Sequence, residues 1–456
     1  MNVFWHRRDL RLRDNRGLAM AARDGEVLPV FVVEEELLRR IGDRQRAFFI
    51  AGLHELREAY RERGADLLVC EGDPALALAD VRERYDVDAV YYTTHYRPAR
   101  CNRERRVERR FPTVAAVDLT LVDPTDLAPA YPSHSEFYDD WTAGPKPDPA
   151  PAPDPDRLVD PDEDRDLPAL EAEFELPAAG YEAARRRYDR FLGDGIETYA
   201  ETRDDLSAAV DRPVGAVSRM SPYIAAGMIG IREVWADATD RHERVAGAAR
   251  RNVEKFRYEL SWREANYHLL AHDPDLLSKN HKEFPNTIAW RNDDADFAAW
   301  KRGETGYPLV DAGMRQLERE GYIHNRPRQV VASFLTKHLL VDWQRGARHF
   351  EAELLDHDPA TNYGNWQWVA STGTDTVDVR IFDPVAQTAK YDPDADYVRE
   401  YVPALREVPA GKILEWPTLD RAERQRLAPD YPGPIVDRDA AYERAQRVFE
   451  SALGKR

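Results

Sequence analysis

Cysteine is nearly missing from this chain: 456 residues carry only Cys70 and Cys101. Two thiols cannot complete a four-cysteine zinc or iron–sulfur site, and they make no disulfide framework. Long apolar runs are missing too. No stretch of eighteen or more apolar residues occurs, so no membrane span is expected. The first residues, MNVFWHRRDL, read as a strand entering a basic turn rather than a secretion signal, and a cytoplasmic protein is expected. Lysine is the next scarcity, with nine residues; arginine supplies the rest of the 65 basic side chains. Against 83 acids the net charge is -18, the balance of a surface built to stay soluble at high ionic strength. Such a body resists non-specific nucleic-acid binding, so any DNA contact needs a local basic patch. The 12 histidines show no HExxH-type pair, and no catalytic metal is expected. No GxGxxG follows the first apolar run, which removes the common dinucleotide-binding fingerprint.

What is present is ordered by position. Residues 1–130 alternate apolar runs with amphipathic stretches. The runs are VFW near Val3, EVLPVFVV (26–33), ADLLVC (65–70), DAVYYTT (88–94) and TVAAVDLTLV (113–122). Strand alternating with helix predicts an α/β domain with a parallel, Rossmann-like sheet. Residues 131–180 include the Pro- and Asp-rich PKPDPAPAPDPDRLVDPDEDRDLP and are expected to link two domains. Residues 181–456 read as all-α. RNVEKFRYELSWREANYHLLAH and RPRQVVASFLTKHLLVDWQRGARHFEAELLD both carry apolar residues at helical spacing.

Eight of the ten tryptophans follow residue 230. Glu259, Trp262 and Arg263 share one helix face by spacing, and a surface ion pair beside a half-buried ring is the plainer reading. HNRPRQ sets Asn325 and Arg328 one turn apart, and DHD offers Asp356 and Asp358 at a helix end. An arginine–carboxylate pair and a capping network are both open there. Ser218 and Ser221 in SRMSPY suit a helix cap first and a phosphate cradle second. NYGNWQWVASTGTD (362–375) holds Trp366 and Trp368 in a stretch that reads as loop-like and Gly-rich. Core packing, stacking and electron transfer are the three uses for such rings.

Taken in order, WHRRDLRLRDNRGL, SRMSPY, ELSWRE, TGYPLVDAGMRQL, HNRPRQVVASFL and NYGNWQWVASTGTD with RIFDP resemble the photolyase/cryptochrome family over essentially the whole chain. The resemblance implies FAD held in a U shape by the all-α domain. Tyr199, Ser218 and Ser221 would contact its pyrophosphate and ribitol end, and Arg263 would approach the phosphates. Asn325, Asp356 and Asp358 would line flavin and adenine, with Arg328 pairing to Asp356. Asn362 would face flavin N5. Trp366, Trp343 and Trp290 would carry electrons from the surface. Trp262 and Trp368 would wall a pocket for a flipped pyrimidine dimer, Glu259 would hydrogen-bond it, and Gln329 would lie near it. Arg203, Arg326 and Arg380 would meet the DNA strand.

The implied activity is light-driven splitting of cyclobutane dimers in damaged DNA by a monomer. A blue-light photoreceptor and a DASH-like enzyme for single-stranded lesions are the alternatives. Departures from the family pattern sharpen this. Gln329 stands where dimer photolyases usually carry Met, as in DASH proteins, yet Trp368 is kept where those usually have Tyr. Phe256 replaces a Trp and Val217 a Thr. Ala99 and Arg100 replace the Asn and Glu of folate-binding members, and YPSHSEFYDDW (131–141) also departs from the pattern. For the second antenna chromophore a folate, a deazaflavin, a flavin and none at all are the alternatives.

Overall fold

The computed structural model describes residues 1–161, 163 and 165–455. Contacts group the chain into two compact units. The first is Met1–Glu197, Ser218–Pro274 and Leu355–Ala360; the second is Thr198–Val217, Asp275–Leu354 and Thr361–Arg456.

The first unit holds five parallel strands, β1 (Asn2–His6), β2 (Val27–Val33), β3 (Leu68–Glu71), β4 (Ala89–Thr93) and β5 (Thr113–Ala116), in the order β3-β2-β1-β4-β5. Each apolar run of the sequence supplies one strand. Buried almost throughout, β1 to β4 read as continuous runs rather than alternating ones, while β5 at the sheet edge is buried only at Ala116. The last run ends early. Beyond Ala116 the chain leaves the sheet, and Asp118 is taken by buried Arg11 and Arg232. Crossovers are α1 (Arg16–Asp24), α2 (Asp43–Arg61), α3 (Pro74–Arg84) and α4 (Pro98–Glu108). Asn15 caps α1 by accepting from Leu18 N at 3.1 Å, and Pro74 and Pro98 open their helices where a missing N–H costs nothing. Strand order reverses between β2 and β4 on either side of β1, the place where α/β sheets bind ligands.

Longer helices of the first unit outside the crossovers are α5 (His134–Ala143), α6 (Tyr181–Asp194), α7 (Ile231–Arg244) and α8 (Gly247–His272), beside the short helices Glu35–Arg39 and Ser221–Ala226. Helix α5 lies within the segment expected to be linker. Ser133 caps it, and Phe137 and Trp141 bury themselves. The second unit, all-helical among the described residues, includes α9 (Pro308–Glu320), α10 (Asn325–Ser333), α11 (Trp343–Glu353), α12 (Pro359–Ala370, from Thr361 on) and α13 (Arg438–Ala452). The long helical pattern after Asn325 is divided. A π-helical turn, Phe334–His338, follows α10, and Leu340 at φ +50° breaks the ladder before Asp342 caps α11. The apolar period survives the break because Val331, Leu335, Val341 and Trp343 all enter one core. Among the described residues, no helix is long and apolar enough to cross a membrane.

Candidate functional site

The segment 362–370 is helix, not loop. Pro359 starts α12, and Asn362, Gly364, Trp366 and Gln367 all lie inside it. Packing overrides the weak helix propensity of Asn and Gly. Asn362 is buried and donates from Nδ2 to Ala347 O at 3.0 Å, which leaves its carbonyl oxygen and one N–H for other partners. Trp366, one turn on, is 3% exposed. It meets Trp300 edge-on at 6.2 Å and Phe350 at 5.0 Å. Its third wall is backbone: a Cβ at Gly346 on α11 would come within 2.5 Å of Trp366 Cζ3. Trp343 is fully buried, gives its indole N–H to Asn280 Oδ1 at 2.9 Å and meets Tyr363 edge-on. Trp290 is half-buried against Phe449.

Trp368 leaves α12 on another side and is half-buried. The Arg380 guanidinium sits 5.0 Å from its ring centroid. Arg380 is held by Asp375 through two bonds, at 2.6 and 3.0 Å. Lys337, wholly buried, donates to Ala370 O at 2.6 Å and Ser371 Oγ at 2.9 Å, closing the end of α12 under that loop. Burial pushes its amine well below the usual lysine range. Arg326 pairs with Asp204 at 2.9 Å and donates to Gln329 Oε1 at 2.7 Å. Arg203 lies 5.9 Å from the Tyr199 ring. Two of the three candidate DNA arginines thus already carry a carboxylate, so the basic patch is weaker than a count of arginines implies. Arg328 donates to Ile323 O at 2.7 Å, and Asn325 opens α10 exposed to solvent.

In the first unit, Glu259, Trp262 and Arg263 follow one another along α8, with Trp262 half-buried. Glu259 forms an ion pair, but with Lys255 one turn earlier at 2.7 Å, a residue outside the face read from the sequence. Arg263 donates to Leu119 O at 2.7 Å and lies 4.7 Å from the Tyr267 ring. Ser221 is the first residue of a six-residue helix and does not cap it; its hydroxyl donates to Asp356 at 2.6 Å. Ser218 Oγ accepts from Met220 N at 3.4 Å. Asp358 accepts from the Tyr267 hydroxyl and faces Arg8 at 3.5 Å. Both acids are buried and pre-oriented by hydroxyls, an acceptor pair suited to holding sugar O–H and ring N–H groups.

Comparison with known proteins closes the case. Residues 2–154 match the model described as DNA photolyase, and residues 256–451 match the FAD binding domain of DNA photolyase. A deoxyribodipyrimidine photo-lyase of Halobacterium salinarum is 40% identical, with 100% of both chains covered. The chain belongs to the DNA photolyase family. A bacterial class III photolyase from Agrobacterium tumefaciens superposes with a TM-score of 0.89 at 32% identity, covering 100% of this chain and 98% of that one. An archaeal photolyase from Sulfolobus tokodaii, solved with two FAD molecules, gives 0.84 at 29% identity over 99% and 100%. The matched FAD binding domain makes FAD the cofactor of the chain. In the first unit the groups present suit its polar atoms: carboxylates at Asp356 and Asp358, hydroxyls at Ser218 and Ser221, and a guanidinium at Arg263.

A second cluster marks the carboxyl end of the photolyase sheet. Burial and the neighbouring Arg8, Arg7, Arg103 and Arg97 hold Arg100 well below the usual guanidinium range. Arg7 has Glu104 at 2.7 Å and Arg103 has Glu34 at 3.3 Å, whereas Arg100 has no ion-pair partner among the described residues. His95 is buried, and its Nδ1 accepts from Arg97 N at 2.9 Å, so Nε2 carries the proton and meets no acceptor. Segment 131–141, in contrast, does not line this end; it lies against α8.

Several residues escaped the sequence reading. Tyr267 and Arg8 orient Asp358, Gly346 admits Trp366, and Lys337 closes α12. Gly346 alone left a signal, since glycine inside a helix costs roughly 1 kcal/mol against alanine and implies close approach.

Proposed function

We propose that the chain is a monomeric, cytoplasmic, light-driven DNA-repair enzyme that splits cyclobutane pyrimidine dimers. One observation carries this reading. Helix α12 bears Asn362 and Trp366 on one face, one turn apart and buried, and Trp368 about 200° away and half-buried. A single helix thus separates a flavin-facing side from a lesion-facing side. Bound there, reduced FAD supplies the electron that splits the dimer and recovers it afterwards.

The residues do the rest. Asn362 holds a proton donor and an acceptor toward flavin N5 and so suits either redox form. Trp366 and Trp343 are buried and Trp290 is half-buried, which supports an outlet for electrons at Trp290. Trp262 and Trp368 offer flat faces to an extruded dimer, whose poor stacking makes it cheap to flip. Glu259 exchanges Lys255 for the lesion, accepting from its ring N–H groups and fixing its orientation. Asp356, Asp358, Ser218, Ser221, Arg263, Tyr199, Asn325 and Arg328 hold the cofactor. Arg203, Arg326 and Arg380 track the strand, with Gln329 beside them. The arginine-lined end of the sheet supports a second chromophore that carries an anionic group.

The test is lamp-dependent loss of thymine dimers from duplex and single-stranded oligonucleotides. It uses chemically reduced enzyme at low and at molar salt. Repair of the duplex is expected. Repair of single strands alone supports a DASH-like enzyme and gives Gln329 the decisive role. No repair of either, with the flavin still photoreducing, supports a photoreceptor instead.

A further inference from the structure

The stretch YPSHSEFYDDW has so far no part in the chemistry. Its His134 is the first residue of α5 and lies flat on Trp262. The ring centroids are 3.5 Å apart and the planes 6° from parallel. Both imidazole nitrogens are engaged by α8. Nδ1 meets the Tyr258 hydroxyl at 2.9 Å and Nε2 meets Ser261 Oγ at 3.1 Å. The bonding fixes the tautomer. Ser261 spends its one hydroxyl proton on Tyr258 O at 2.7 Å, so its oxygen accepts from Nε2–H. Nδ1 then accepts from the Tyr258 hydroxyl. Burial, with help from nearby Lys255, lowers the imidazole pKa to about 4, and the ring stays neutral at working pH. Tyr258 touches Trp262 edge-on at 6.5 Å, and no other ring stacks on Trp262 among the described residues.

We propose that His134 is a positioning residue that clamps Trp262 from behind, so that the opposite face meets the flipped dimer as a fixed plate. This rests on the reading of Trp262 as a wall of the lesion pocket. Two hydrogen bonds hold His134 to the same helix that carries Trp262, so the pair cannot slide. An indole already immobile in the free enzyme loses no rotamer freedom when the lesion stacks on it. His134 touches no substrate, and its effect falls on lesion affinity rather than on the splitting step.

The experiment measures, in the dark, the affinity of full-length flavin-loaded protein for an oligonucleotide with one thymine dimer and for its undamaged twin. The variants are His134→Ala, His134→Leu, His134→Phe and Trp262→Ala. Flavin content and thermal midpoint are recorded for each, and Leu and Phe preserve volume so that folding is not the readout. Loss of the stack is expected to weaken dimer binding about threefold to tenfold in the Ala and Leu variants. His134→Phe should recover most of it. The yield per bound dimer should move less than the affinity in every His134 variant. Wild-type affinity in His134→Ala overturns the clamp, as does a Leu variant equal to Phe. If Trp262→Ala leaves affinity unchanged, the wall assignment fails and the clamp with it. If Trp262→Ala weakens binding and His134→Ala does not, the clamp alone fails.

Discussion

Replacing Gly346 by alanine places a methyl group against the buried edge of Trp366. The added carbon would stand 2.5 Å from Trp366 Cζ3 and 2.7 Å from Leu335 Cδ2. Ordinary carbon contacts are about 3.5–4.0 Å, so the indole must retreat by roughly 1 Å. It has nowhere to go. Phe350 packs edge-on at 5.0 Å, Trp300 at 6.2 Å, and only 3% of Trp366 is exposed. Over-packing of this kind costs about 1–3 kcal/mol. The assay is urea unfolding of the flavin-loaded protein, read by tryptophan fluorescence, beside the initial rate of flavin photoreduction under blue light. Two compact units make a single transition unsafe to assume, so the tryptophan-rich transition is fitted alone. Gly346→Ala should lower stability by that amount and slow photoreduction. Trp366→Phe removes the clashing atoms, and it should abolish rapid photoreduction while sparing repair by pre-reduced enzyme. In the double variant the alanine should cost at least about 1 kcal/mol less than it does alone. Strictly additive costs would refute the claim that Gly346 exists to admit the ring.

Two further outcomes follow from the first unit. Asp9 is 1% exposed; burial opposes its charge, but bonds from His6, Arg7 N and Thr93 outweigh it and hold the carboxyl at about 2. A depressed acid contributes stability that is complete above the unfolded value near 4 and is lost as pH falls through about 2. Wild type should lose about 2 kcal/mol more than Asp9→Asn between pH 5 and pH 2; equal acid limbs in the two proteins would remove the assignment. Arg100→Gln should keep FAD but weaken binding of inorganic pyrophosphate several-fold, measured by calorimetry at low and high salt. Unchanged binding would mean that the arginine-lined end of the sheet is not an anion site.

The sheet was readable because its information is local. A strand buried on both faces must be an apolar run, and β1 to β4, buried almost throughout, satisfy that, whereas edge strand β5 is buried only at Ala116. The overrun past Ala116 shows the limit, since Asp118 is withdrawn from the sheet pattern by Arg11 and Arg232, 107 and 114 residues away along the chain. The divided helix after Asn325 hid for a related reason. Periodicity reports which side faces the core, and it persists across a break when both pieces share that core. The residues of the candidate site were readable as a motif order, yet their partners were not. The stack of His134 on Trp262 joins residues 128 positions apart that carry no common signal.

The two tryptophans of NWQW show what such a misreading costs. In an extended segment, side chains two positions apart point the same way, and Trp366 and Trp368 would line one pocket together. In a helix they stand about 200° apart and cannot. One ring is then 3% exposed among Trp300, Phe350 and Gly346, while the other is half-buried beside Arg380. The same sequence therefore assigns either one function to two rings or one function to each. Secondary structure decides between them, and it decides for two: an inner ring buried among aromatic side chains and an outer ring half-buried beside Arg380, which the proposed function reads as electron relay and lesion wall.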